Sequence, residues 1–313
     1  MLAHTSMTIR VFCILSGIYI TASATAASES FCPNGNTPNP AVIWCDSFED
    51  NDLPASGNIG DNYYEFDSAN GTHRRSNNDS IHGQYALQAE WLPGQTDAGH
   101  LIRTFGRSPV NSQSHSDRDF KEIYWRMYLK YPEGSTGRPH KLSRVTSFAT
   151  TNRAQSMIAH IWRSNSNEKI YVIDPATGID DTNQLATTQY NDFANLSFLG
   201  LRESSVAIEN NRWYCIEARV KLNNANKSDG IFELWIDEQK VASRKDLDWV
   251  GNWNNYGINS LFISHWWNGG SDAPTTQRRY IDALVISQTP IGCLNSPALA
   301  PPSPPNSIKL RTE

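Results

Sequence analysis

Three stretches of this sequence set aromatic and cationic side chains close together. Tyr124, Arg126 and Tyr128 alternate along one segment, His160 and Trp162 along a second, and His265, Trp266 and Trp267 crowd a third. His140, Lys141 and Arg144 follow the Gly134–Gly137 turn. In an extended strand every second side chain projects to the same face, so each group can act together. Aromatic rings stack on sugar rings and Arg or Lys pairs with carboxylates, so such a surface suits an acidic sugar chain. Taken singly, a strand Tyr or Trp is packing and a His is a hydrogen-bonded structural group. Their recurrence on several strands is what points to a site.

The same residues contain the parts of a proton-transfer site. A neutral His or an ionised Tyr can abstract a proton, and an Arg that stays charged can offset the negative charge that develops. His160 and Lys141 are therefore expected in one cleft beside Arg126 and Tyr128, with Tyr190, on a polar loop, as a further candidate acid. Tyr124, Arg144, Trp162, His265 and Trp266 are expected to bind the substrate. A different chemistry, glycoside hydrolysis, needs two carboxyl groups flanking one bond. Glu233 and Asp237 share a strand face with Trp235, where the plainer reading is a solvated face near a hairpin end. The signatures GxGxxG, GxxxxGK, HExxH and GxSxG are missing, and no CxxC or Cys/His cluster offers a zinc site. Asn224–Gly230 has a faint calcium-loop composition but sits between two strands and reads as a turn.

Strands must position these groups. The 313 residues are 39% hydrophobic and 19% charged, enough for a large core and too apolar for a disordered chain. A net charge of −5 excludes a strongly basic surface, hence nucleic acid or an anionic membrane as partners on charge grounds. Ile123, Trp125, Met127 and Leu129 alternate with Tyr124, Arg126, Tyr128 and Lys130. Residues 213–222 alternate likewise, and after Ser228-Asp-Gly230 a second strand, 231–241, completes a long hairpin. Further strands are expected at 42–48, 84–91, 101–105, 157–163, 261–267 and 280–287, with no convincing helix. The expected fold is all-β: one jelly-roll sandwich of two antiparallel sheets.

Residues 1–26 match a secretory signal, with Arg10, an apolar run 11–20 too short to span a bilayer, and Ala24-Thr-Ala26 for cleavage. The expected domain runs over 27–293, and the Pro-rich 294–313 reads as a disordered tail. Export leaves Cys32, Cys45, Cys215 and Cys293, an even number that argues for two disulfides. Three pairings are open; Cys32–Cys45 with Cys215–Cys293 is preferred, then Cys45–Cys293 with Cys32–Cys215. The protein is expected to be secreted or periplasmic, and monomeric.

Several segments resemble the heparin-lyase-I-like and glucuronan-lyase-like polysaccharide lyases. They are Cys45-Asp-Ser-Phe-Glu-Asp50, Gly83-Gln-Tyr-Ala-Leu87, Tyr124-Trp-Arg-Met-Tyr-Leu-Lys-Tyr131, the 213–237 hairpin, His265-Trp-Trp-Asn-Gly-Gly-Ser271 and Tyr280-Ile-Asp-Ala-Leu-Val-Ile-Ser287. The resemblance implies a concanavalin-A-type jelly roll and β-elimination on a uronic-acid polysaccharide. It aligns His140-Lys-Leu-Ser143 with the family's Lys-Leu-Pro-Gly, so that Lys141 would hold the substrate carboxylate, and Trp267-Asn-Gly-Gly270 with an aromatic-Gly-Gly segment. It also implies a structural calcium held by Glu49 and Asp282, with backbone oxygens completing the shell. Non-catalytic members share these strand patterns, so a lectin-like carbohydrate-binding protein is the alternative, and fold alone does not grant activity.

Overall fold

In the computed structural model, Ile123, Trp125, Met127 and Leu129 enter one large core, while Tyr124, Arg126 and Tyr128 turn away from it. The structure describes residues 40–51, 53–54, 62–136, 139–267 and 272–294, all within the compact unit Phe31–Glu313. The expected signal segment, Cys32 and the tail beyond residue 294 lie outside the described residues.

Sixteen strands form among the described residues. They are β1 (Val42–Asp46), β2 (Glu65–Asp67), β3 (His73–Ser76), β4 (Ala86–Trp91), β5 (Asp97–Thr104), β6 (Glu122–Lys130), β7 (Lys141–Phe148) and β8 (Gln155–Arg163). Then follow β9 (Ile170–Thr177), β10 (Ser197–Phe198), β11 (Arg202–Ala207), β12 (Tyr214–Lys221), β13 (Gly230–Ile236), β14 (Gln239–Leu247), β15 (Ser260–Trp266) and β16 (Gln277–Ser287). One sheet runs β14-β13-β12-β6-β16-β4-β3, with β1 also on β16. The other runs β10-β9-β8-β7-β15-β5-β2, with β11 also on β9. Every strand pairing within them is antiparallel. The all-β two-sheet sandwich expected from the alternation is the fold that forms.

The inner faces interlock as the period-2 pattern requires. β6 and β12 supply Trp125, Met127, Ile216 and Ala218; β7, β8 and β15 supply Val145, Ala159, Ile161 and Ile263. One strand expectation needs correction. The stretch 231–241 is two strands, because Asp237 and Glu238 take φ of 50° and 67° and turn the chain back within two residues. Asp237 secures that turn by accepting the Cys215 N–H at 2.9 Å. Cys215 is bonded to Cys293, the pairing placed first for these two. Cys45 is disulfide-bonded as well. No helix among the described residues is long and apolar enough to cross a membrane.

Candidate active site

The outer face of the second sheet collects most of the expected chemistry. Met157, Ala159 and Ile161 of β8 pack in the core, so Ile158, His160 and Trp162 project outward. Register then lines up neighbours across strands: Asp174 opposite His160, His160 opposite Arg144, and Arg144 opposite Phe262. Lys141 stands opposite Trp162 across a bulge that shifts β7 between Lys141 and Ser143. Trp266, at the end of β15, is 38% exposed, and the Lys141 ammonium lies 5.4 Å from its ring centre.

The segment 187–198 folds over part of this face. Leu196 packs with Ile158 and Ala176, and Phe193 and Phe198 stack at 6.5 and 6.3 Å from the His160 ring. Tyr190 stacks on Phe262 at 5.8 Å and 14°. The Arg144 guanidinium donates to the Tyr190 hydroxyl and, at 2.8 Å, to Asn191 Oδ1. It also sits 4.3 Å from the Phe262 ring. Arg153 covers Tyr190 at 4.7 Å and binds Glu65 at 2.7 Å. Glu65 in turn meets His100 Nε2 at 2.8 Å. Tyr190 is thus held between two guanidinium groups, partly open to solvent.

Burial shapes the electrostatics. Lys141 is lowered to about 8, first by burial and then by the charge on Arg144. His160 is pushed well below its ordinary value, again by burial first and Arg144 second, so it is a neutral imidazole. His140 falls to about 4 by burial, with Arg163 and Lys141 adding to it. Asp174 rises to about 6 through burial alone. A cationic pair, a hydroxyl and two exposed or half-exposed tryptophans therefore share one surface.

Not all expected residues join it. Tyr124, Arg126 and Tyr128 belong to β6 in the first sheet and face outward there, on the far side of the core from Lys141 and His160. The expectation of one cleft is corrected: alternation placed these residues on a common face but on the wrong sheet. Arg126 donates to the Gly292 carbonyl at 2.9 Å, and the Tyr128 hydroxyl accepts the Leu294 N–H at 2.6 Å. Tyr128 is raised, chiefly by burial, which disfavours the phenolate a base would need. Arg219 lies 5.6 Å over the Tyr124 ring. These three anchor the segment after β16 and the sheet surface.

Two further expectations change. His265 points into the sandwich, where its backbone carbonyl accepts from Trp91 Nε1 at 3.1 Å and its Nδ1 meets Arg279 at 2.6 Å; it is an interior residue that no substrate can reach. His160 faces outward, yet it is fully buried beneath Trp162, Phe193 and Phe198. Glu233 is ringed by Arg219 at 3.1 Å, Lys240 at 2.7 Å and Lys245 at 3.5 Å. Burial raises its pKa, but the bonds from Lys240 and Arg219 outweigh that and leave it lowered. Asp237 binds Arg212 at the hairpin turn. Glu233 is therefore held as the carboxylate and is not the protonated acid that hydrolysis needs.

Glu49 and Asp282 converge on one loop. Glu49 accepts the N–H groups of Gln84 and Tyr85 at 3.0 and 2.9 Å, and Asp282 those of Ile81 and His82 at 2.9 and 3.1 Å. Gly83 sits at φ 67°, a conformation that favours glycine, and a Cβ there would also press on the Glu49 carboxyl. Asp282 is fully buried and raised to about 7 by that burial, with the Glu49 charge contributing.

Sequence reading missed Asp174, Glu65, His100, Arg153 and Phe262. Strand β9 carries the one usable signal, since Tyr171 and Ile173 enter the core and leave Val172 and Asp174 opposite them. Asp174 thereby becomes a carboxyl on an aromatic face.

Residues 146–281 match the family model of polysaccharide lyase 14. The sequence matches no curated protein. Among solved structures, an endo-β-1,4-glucuronan lyase from the fungus Trichoderma reesei is 13% identical, with a TM-score of 0.52, over 72% of this chain and 91% of that one. The marine PL-14 alginate lyase from Aplysia kurodai is 13% identical, with a TM-score of 0.56, over 79% of this chain and 99% of that one. At such identities these likenesses establish the shared fold. The family match over residues 146–281 supports a polysaccharide lyase, and the two solved structures share the chain's fold.

Proposed function

We propose that the chain is an exported lyase that cleaves a uronate-containing polysaccharide by β-elimination on the outer face of the second sheet. The observation that carries this reading is the pairing of Lys141 and Arg144 beside Tyr190, between Trp162 and Trp266. Elimination removes the proton next to the carboxylate and expels the oxygen across the adjacent bond. The carboxylate takes on enolate charge meanwhile, so fixed cations beside it lower the barrier. Lys141 is suited to that task, and Arg144, itself buried, holds the Tyr190 hydroxyl beside it. We assign the proton transfer to Tyr190, since its hydroxyl is held by Arg144 and the residue is partly exposed, whereas His160 is fully buried. Trp162 and Trp266 supply stacking surfaces on either side. The resemblance of the glucuronan and alginate lyases supports a uronate, and residues 1–26 support export.

Incubating the protein with alginate, glucuronan, heparin and hyaluronan and following ultraviolet absorbance tests this. Unsaturated products are expected from at least one polymer. New reducing ends without absorbance would mean hydrolysis, and binding without either would mean a carbohydrate-binding protein using the same face.

Calcium at Glu49 and Asp282 belongs to the proposal too. Asp282 has a folded-state pKa raised above its unfolded value, so its ionisation removes stability as pH rises from about 4 towards 7. A divalent cation between the two carboxylates would offset that loss. Millimolar calcium is expected to raise Tm by about 2–4 °C at pH 8 and by less at pH 5. An unchanged Tm at both pH values would leave the pair as a clamp on the 81–85 loop.

A further inference from the structure

At one end of the same face, past Trp162, lies a pocket of about 320 Å³. Trp162, His140, Asp174, Arg163, Glu203 and Leu201 are among the residues that line it. Asp174 is only 9% exposed, and its carboxyl receives no hydrogen bond from the described residues, the His160 ring meeting its backbone carbonyl instead. A buried carboxyl without donors is costly and calls for a partner from outside the chain. Glu203 differs, since Ser164 and Ser166 donate to it at 2.5 and 2.9 Å. Arg163 and Glu203 bring opposite charges to the pocket, so Asp174 sets its sign. Leu201 is 47% exposed at the rim, and Trp162 and His140 pack ring against ring at 4.7 Å. An aromatic wall, a neutral imidazole and an acceptor-only carboxylate match the hydroxyl groups and apolar face of a sugar.

Lys141 stands opposite Trp162 on the neighbouring strand, so this pocket adjoins the cationic position. We propose that it holds a glycosyl unit through its hydroxyl groups and rejects one presenting a carboxylate. The substrate is then a copolymer in which the uronate at Lys141 is flanked by a neutral sugar. This inference rests on the lyase reading for the uronate position, but the pocket's preference can be measured without turnover.

The test is calorimetric titration of the mature protein with two tetrasaccharides, one of glucuronate alone and one alternating glucuronate with a neutral hexose. The alternating ligand is expected to bind about 10-fold more tightly, because like charges brought together in a pocket weaken the other. Asp174→Asn is expected to reduce that preference to about 2-fold by restoring the glucuronate ligand. Equal affinities in the unsubstituted protein, or an undiminished preference in Asp174→Asn, would overturn the proposal. If Asp174→Asn does not fold, His140→Gln serves instead: it is expected to weaken the alternating ligand alone, and equal weakening of both overturns the proposal. Product absorbance is recorded on the corresponding polymers in parallel. A binding preference with no elimination refutes the lyase reading and leaves the pocket standing; elimination with no preference does the reverse.

Discussion

Lys141→Ala is expected to lower kcat/KM by about 10²–10³-fold, the usual effect of removing one group that opposes transition-state charge. Stability should change little, because the ammonium lies on the outer face of the sheet and is not part of the core. The pH profile decides its role. Burial and Arg144 bring Lys141 to about 8, and kcat/KM reports ionisations of the free enzyme. If the ammonium holds the substrate carboxylate, kcat/KM falls as pH rises through about 8. If Lys141 is instead the base, kcat/KM rises through the same range. We expect the fall. Lys141→Arg should retain part of the activity and lose the falling limb, since a guanidinium stays charged throughout. A rising limb near 8 in the unsubstituted enzyme, or an unchanged profile in Lys141→Arg, would remove Lys141 from this role.

Alternation made the fold legible and left the site half legible, for one physical reason. A period of two separates the faces of a strand but does not say which sheet the strand joins or what covers its outer face. Tyr124, Arg126 and Tyr128 share a face as expected, yet β6 pairs with β12 and β16 on the opposite side of the core from Lys141. His160 and Trp162 also share a face as expected, but 187–198 closes over His160 and leaves Trp162 half open. In His265-Trp-Trp the alternation itself splits the trio, since His265 and Trp267 follow Ile263 inward and only Trp266 turns outward. Asp174 was passed over because Pro175 interrupts the alternation of Tyr171 and Ile173 that places it on the outer face. The hairpin at 237–238 was read through because two turn residues with positive φ sit inside an otherwise continuous alternation.

Arg279→Met is expected to cost about 2–4 kcal/mol of folding stability and to loosen the site from behind. Arg279 is fully buried in β16. It crosses between the sheets to donate to the carbonyls of Lys141 at 2.9 Å and Ser264 at 2.6 Å, and to His265 Nδ1 at 2.6 Å. Those carbonyls lie at the start of β7 and near the end of β15, the strands that carry Lys141 and Trp266. Methionine fills similar space, but it takes a donor away from each of three acceptors, at up to about 1–3 kcal/mol each. The desolvation cost of the guanidinium disappears in the same variant and offsets part of that loss, so the net lies below the sum. Urea unfolding should show a lower midpoint with an unchanged slope. Acid behaviour supplies a second readout. His73 at about 4, with His265 and His160 well below 6.5, are neutral in the folded chain chiefly through burial. Their folded pKa values lie below the unfolded ones, so they favour folding above about 6.5, and this is lost as pH falls towards 4. The Arg279 charge adds to the depression of His265. Without it His265 accepts a proton more readily, and stability should fall less steeply between pH 6.5 and 4 than in the unsubstituted protein. An unchanged urea midpoint, or an equally steep acid loss, would show that Arg279 neither pins the two strands nor holds His265 neutral.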